Sequence, residues 1–172
     1  MEKNNNEIYN NFKSLEGTCD IKDIFNVNEN ILVSASPFDE SITFWDLEKM
    51  KVKRKIFFIK SLNSNIFCKI NKQFLLVIGN NYLYIIDIWF YKIFKKIYIL
   101  NNVIECISIT ENNLIAGDIN GNLVNYIFEN EEMKIKFEKN NIHQKAITYI
   151  IKSKNNQIIT CSFDKLIKIW QY

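Results

Sequence analysis

A unit of strand, tight turn and strand recurs in this chain about every forty residues, and that period limits the fold more than any other feature. The clearest copy runs Ile31-Leu32-Val33-Ser34-Ala35-Ser36, then Pro37-Phe38-Asp39-Glu40, then Ser41-Ile42-Thr43-Phe44-Trp45-Asp46-Leu47. The C-terminus repeats it as Ile158-Ile159-Thr160-Cys161-Ser162, Phe163-Asp164-Lys165 and Leu166-Ile167-Lys168-Ile169-Trp170, and in both copies the turn Asp precedes the Trp by six residues. Two weaker copies lie between, at 74–88 and 114–127. Ile86 and Tyr126 take the place of the Trp, so the steps are 41, 40 and 44 residues. Repeats of this length mark stacked supersecondary units. Ile, Val, Phe, Tyr and Thr fill the runs and suit a pleated, half-buried surface. Ile42/Phe44 and Ile167/Ile169 alternate with polar neighbours at the strand period of two. Asn80-Asn81, Asn112-Asn113, Asn120-Gly121 and Asn155-Asn156 supply turn signals. Helical periodicity is absent, so the chain is expected to be all-β.

These residues and their spacing resemble the WD-repeat β-propeller family over nearly the whole chain, from about Ile8 to Tyr172. The first and last repeats match well, and the middle two depart from the pattern by lacking Trp. The resemblance implies a β-propeller of four-stranded blades, about four in number. The repeats fall near 17–58, 59–100, 101–139 and 140–172 of a single domain, with 8–15 as a possible ring-closing outer strand. Propellers of this kind usually carry about seven blades. Three architectures therefore remain open: closure at four, an open arc completed by a second chain, or a truncated product. The open, incomplete propeller is the expected one.

The resemblance also implies a buried polar set in the last repeat: His143, Thr160, Asp164 and Trp170. The first repeat keeps Ser34, Asp39 and Trp45, but its His position falls near Thr18. Trp45, Ile86, Tyr126 and Trp170 are all expected to be largely buried on third strands, with Trp170→Ala costing about 3–5 kcal/mol. The fourth strand of the first repeat, with Lys51, Lys53 and Lys55, reads as a solvated edge that blocks stray pairing.

Catalysis is not expected. His143 is the sole His, and Gly79, Gly117 and Gly121 match no phosphate-binding loop. Cys19, Cys68, Cys106 and Cys161 stand far apart without a CxxC, which argues against zinc and against any metal or cofactor. Cys68 and Cys106 read as buried small hydrophobes. The net charge of +3 and the single Arg54 do not call for nucleic acid or anionic membrane. The abundance of Asn, Ile and Lys follows AT-rich codons. The apolar stretch 74–100 is broken by Asp87, Lys92, Lys95 and Lys96, so no membrane span is expected, and the location expected is intracellular, chiefly cytoplasmic.

The expected role is thus a non-catalytic protein–protein interaction scaffold, a WD-repeat subunit of a larger complex. Its alternatives are a partial propeller that folds only with a partner chain, self-association included, and a small-molecule site or enzyme in a central pocket. In this family the residue before the turn Asp projects toward partners from one rim. That residue is Phe38 in the first repeat and Phe163 in the fourth, with Ile119, before Asn120, at the matching position in the third, and aromatic anchors of this kind are common at interfaces.

Overall fold

The computed structural model of the protein describes residues 14–15, 20–57, 62–79, 82–98, 103–110, 112–153 and 157–171, with the side chains of 62–66 and 103–110 outside the description. Every regular element among the described residues is a β-strand. The first antiparallel sheet, blade 1, holds β1 (Asp23–Asn28), β2 (Ile31–Ser36), β3 (Ser41–Asp46) and β4 (Lys51–Phe57) in that order. Blade 2 holds β5 (Leu62–Lys69), β6 (Phe74–Gly79), β7 (Tyr82–Asp87) and β8 (Lys92–Tyr98). Blade 3 holds β9 (Val103–Thr110), β10 (Asn113–Asp118), β11 (Leu123–Glu129) and β12 (Glu132–Lys139). Blade 4 has three strands, β13 (Ile147–Lys152), β14 (Gln157–Ser162) and β15 (Ile167–Gln171). The expected ring-closing strand at 8–15 and the position near Thr18 lie outside the described residues, apart from Ser14 and Leu15.

The register of the blades shows why the repeat works despite its degenerate letters. Trp45 pairs with Leu32, Ile86 with Leu75, Tyr126 with Leu114 and Trp170 with Ile158, in each case the second residue of the second strand. In blades 1 to 3 the outer strand carries a bulge just before this level, between Phe44/Trp45, Ile85/Ile86 and Asn125/Tyr126. Residues with left-handed backbone stand five positions before the Trp level at Glu40, Gly121 and Lys165, and five after it at Met50, Tyr91 and Glu131.

A lone sheet cannot bury both faces, so each blade packs on the next. Val33, Ala35, Ile42 and Phe44 are fully buried in the large core shared by blades 1, 2 and 3. The Phe44 ring meets Tyr91 of blade 2 edge-on at 5.1 Å, and Phe74 of blade 2 meets Phe128 of blade 3 at 5.2 Å. Ile115 and Leu123 of blade 3 form a second cluster with Ile142, Ile147, Ile150 and Ile158, against which Trp170 packs. A Cβ on Gly117 would stand 2.6 Å from Ile147, so β10 and β13 approach too closely for a larger residue. The array is open: it is a four-blade arc and not a closed propeller.

The four Trp-level positions are not equally buried. Trp45 and Ile86 are buried, whereas Tyr126 and Trp170 are half-exposed. Trp170 lies on a sheet in which, among the described residues, no fourth strand pairs with β15. Tyr126 pairs with Ile135 of β12, a strand whose side chains are exposed save for the half-buried Met133. The cost expected for Trp170 therefore moves to Trp45. Trp45→Ala should destabilise the chain by about 3–5 kcal/mol and Trp170→Ala by roughly half as much, in proportion to the apolar area lost. Urea unfolding of the two variants measures the difference.

Candidate functional site

The last blade brings His143, Thr160, Asp164 and Trp170 together. The indole Nε1–H of Trp170 donates to Thr160 Oγ1 at 3.0 Å. His143 Nε2 lies 2.8 Å from the same hydroxyl, and its Nδ1 lies 2.9 Å from Asp164 Oδ2. A carboxylate only accepts, so Nδ1–H donates to Asp164, and Nε2 is left to accept from Thr160. Each buried polar atom satisfies the next, which is how such groups are tolerated away from water. Both ring nitrogens of His143 are committed, and the side chain is buried.

Burial pushes the Asp164 carboxyl up, but the backbone N–H groups of Gln144 and Leu166 and the His143 ring outweigh it and hold the group at about 2. Its two oxygens accept from Gln144 N at 3.0 Å and Leu166 N at 2.9 Å, so Asp164 ties the 142–146 loop to its own turn.

Blade 1 keeps the short form of the set. Trp45 Nε1–H donates to Ser34 Oγ at 2.8 Å. Asp39 accepts from Ser41 Oγ at 2.7 Å and pairs with the Lys55 ammonium. Lys55, expected on a solvated edge, is thus turned inward from β4 and takes the role that a ring plays in blade 4. Among the described residues no fourth strand stands beside β15 to offer a lysine.

Blade 3 holds a lock that the sequence alone did not reveal. The buried Asp118 accepts from Asn120 N and Asn122 N at 2.9 and 2.8 Å, and from the Asn122 side chain at 2.9 Å. Asn122 Oδ1 then accepts Asn141 N at 2.9 Å, and His143 N donates to Gly121 O at 3.1 Å. The turn of blade 3 is therefore bonded to the loop that carries the blade 4 histidine. Gly121 has φ +80°, and a Cβ there would stand 2.2 Å from His143 O.

Phe38, Ile119 and Phe163 each stand in the turn between the second and third strands of their blades. Phe38 is 82% exposed, Phe163 68% and Ile119 44%, so none of the three covers its own blade. Ile119 and Phe163 stand on adjacent blades, while Phe38 is set apart by blade 2, whose own turn at 80–81 is outside the described residues. The strand ends away from these turns carry an aromatic pair passed over in the sequence, Trp89 at 63% exposure and Phe90 at 67%. Both backbone N–H groups donate to Asp87 Oδ1, which fixes the turn and leaves the rings outside. The run Trp89-Phe90-Tyr91 after Asp87 was the available signal. Beside Trp170 an apolar cleft of about 440 Å³ opens among Ile115, Leu123, Phe137 and Ile158.

This geometry defines an array of propeller blades. Residues 138–171 match the family described as WD domain, G-beta repeat, which falls on blade 4 and its leading loop. Blade 4 and its leading loop thus carry a repeat of the WD type, and the array as a whole has the fold of propeller blades. Its fold is similar to that of the computationally designed Ika4 protein (TM-score 0.70, 16% identity, 92% of this chain and 95% of that one). It is also similar to the designed Ika8 protein (0.71, 16%, 92% and 48%) and to a chain of the mitotic checkpoint complex (0.74, 14%, 92% and 51%). The chain spans about half the length of these last two. No curated protein matches the sequence.

Two measurements probe the polar set and the lock. The Asp164 carboxyl is lowered to about 2 from about 4 in a free chain. Its stabilisation is complete above pH about 4 and is lost as pH falls toward about 2. The gap in melting temperature between wild type and Asp164→Asn should therefore narrow across that window. Gly121→Ala should cost about 2 kcal/mol or more, from the left-handed backbone and the clash together, read from denaturant midpoints.

Proposed function

We propose that this chain is a non-catalytic protein-interaction scaffold, a subunit of a larger complex, whose partner docks on the rim bearing Phe38, Ile119 and Phe163. The observation that carries this reading is the exposure of Phe38 and Phe163, 82% and 68%, at equivalent turn positions of a rigid sheet array. Large apolar side chains held out by fixed turns give binding anchors at little entropic cost. Asp164 accepts the Leu166 N–H and Asp39 the Ser41 hydroxyl, so both turns are set before any partner arrives. The mitotic checkpoint complex supports the reading in kind, since a chain of similar fold serves there within a complex. The partner is a protein, and neither nucleic acid nor a membrane surface is called for. Cys68 and Cys161 are free thiols, which fits a reducing intracellular, cytoplasmic setting.

The test is affinity purification of the wild type beside a Phe38→Ser/Phe163→Ser double variant of equal melting temperature. Loss of the partners retained by the wild type is the expected outcome. An unchanged set of partners would rule this rim out.

A further inference from the structure

Blade 4 turns one face to blade 3 and the other to solvent. The solvent face is built by Tyr149 and Ile151 on β13, Ile159 and Cys161 on β14, and Ile167 and Ile169 on β15, brought level by the pairs Tyr149–Cys161, Ile151–Ile159, Ile159–Ile169 and Cys161–Ile167. Ile167 is 69% exposed, Ile169 62%, Tyr149 48% and Ile151 41%, and no charged residue stands among the six. Gln157 and Gln171 pair at its edge, a polar margin around an apolar centre. In blade 1 the residues at the same register are Val33, Ala35, Ile42 and Phe44, all at 0% exposure under blade 2. Blade 4 therefore ends in a blade-packing face that carries no blade.

We infer that a second copy of this chain covers it, the two blade 4 faces meeting about a two-fold axis. The two ends of the array favour this occupant because they are not complementary. At the blade 1 end the outward face is closed over its centre, where Ser34, Thr43 and Trp45 are buried, and its exposed apolar residues, Ile24 of β1 and Val52 and Phe57 of β4, stand apart at its margins. Head-to-tail stacking would need both ends open and would continue into rings or filaments. A two-fold contact uses the one bare face twice and stops at two. The six side chains present roughly 500 Å² per copy, so a pair buries about 1,000 Å², the lower bound for a specific interface. Sheets meeting face to face at about 10 Å interdigitate side chains of this size, and the absence of charge among the six removes like-charge repulsion. The surface is separate from the rim with Phe38 and Phe163, so either can fail without the other.

The experiment is the solution mass of the whole chain by sedimentation from low to tens of micromolar. Twice the 20.5 kDa chain mass is expected at the upper end. Ile167→Lys/Ile169→Lys should return the mass to a single chain at every concentration. A single-chain mass for the wild type throughout overturns the inference. So does a pair that survives both lysines, or a species that keeps growing beyond two. Should the lysine variant not fold, the wild type still decides. Cys161 lies on the face, and its alkylation, assigned by peptide mapping, should speed up severalfold as the protein is diluted through the association range. A rate independent of concentration overturns the inference equally.

Discussion

An antiparallel sheet with apolar residues on both sides has nowhere to put the second side unless another sheet arrives. Phe44 makes this concrete. It is the residue before Trp45, it points the other way toward blade 2, and it is fully buried there. The same demand is met between blades 2 and 3 by Phe74 against Phe128, and between blades 3 and 4 by Ile115 and Leu123 against Ile147 and Ile158. Stability in such an array is close to a sum of blades and of the interfaces between neighbours. The polar sets are secondary to that packing: blade 2 has no Trp at its Ile86 level, and β6 and β7 are nonetheless buried throughout save for the half-buried Tyr82.

The backbone of this arrangement was legible in the sequence where letters and physics coincide. Alternation located β3 and β15, and the six-residue step from Asp to Trp fixed the level shared by Trp45 and Trp170. The rest was hidden for identifiable reasons. Glu40, Met50, Tyr91 and Lys165 adopt left-handed backbone although none is a turn-favoured residue, so only the fold reveals that their positions repeat. Lys55 looked like its neighbours Lys51 and Lys53, and its inward turn depends on Asp39, sixteen residues away in sequence. The half-exposure of Trp170 could not be read locally at all, because it depends on which strands and sheets stand beside blade 4.

The histidine loop shows how local order is relayed between blades. Asp118 organises its own turn, Asn122 and Gly121 grip the loop at 141–143, and His143 then reaches Thr160 and Asp164. The chain of contacts runs from a buried carboxylate in one sheet to an indole in the next, with no long side chain needed. The turn carrying Phe163 is therefore held by two blades and not by one.

The bulges in the outer strands bear on how such edges behave when they meet other chains. At Lys53, Phe94 and Lys136 two outer-strand residues face one partner, so the side-chain phase reverses halfway along β4, β8 and β12. Fibrous β-aggregates grow because each new strand copies the straight, in-register edge below it. A strand with a dislocation at its midpoint is a poor template, since an incoming chain would have to reproduce the same skipped residue at the same level to keep its ladder intact. The bulge in each outer strand thus acts as a proofreading step against runaway polymerisation, written into backbone geometry and independent of the lysines that surround it.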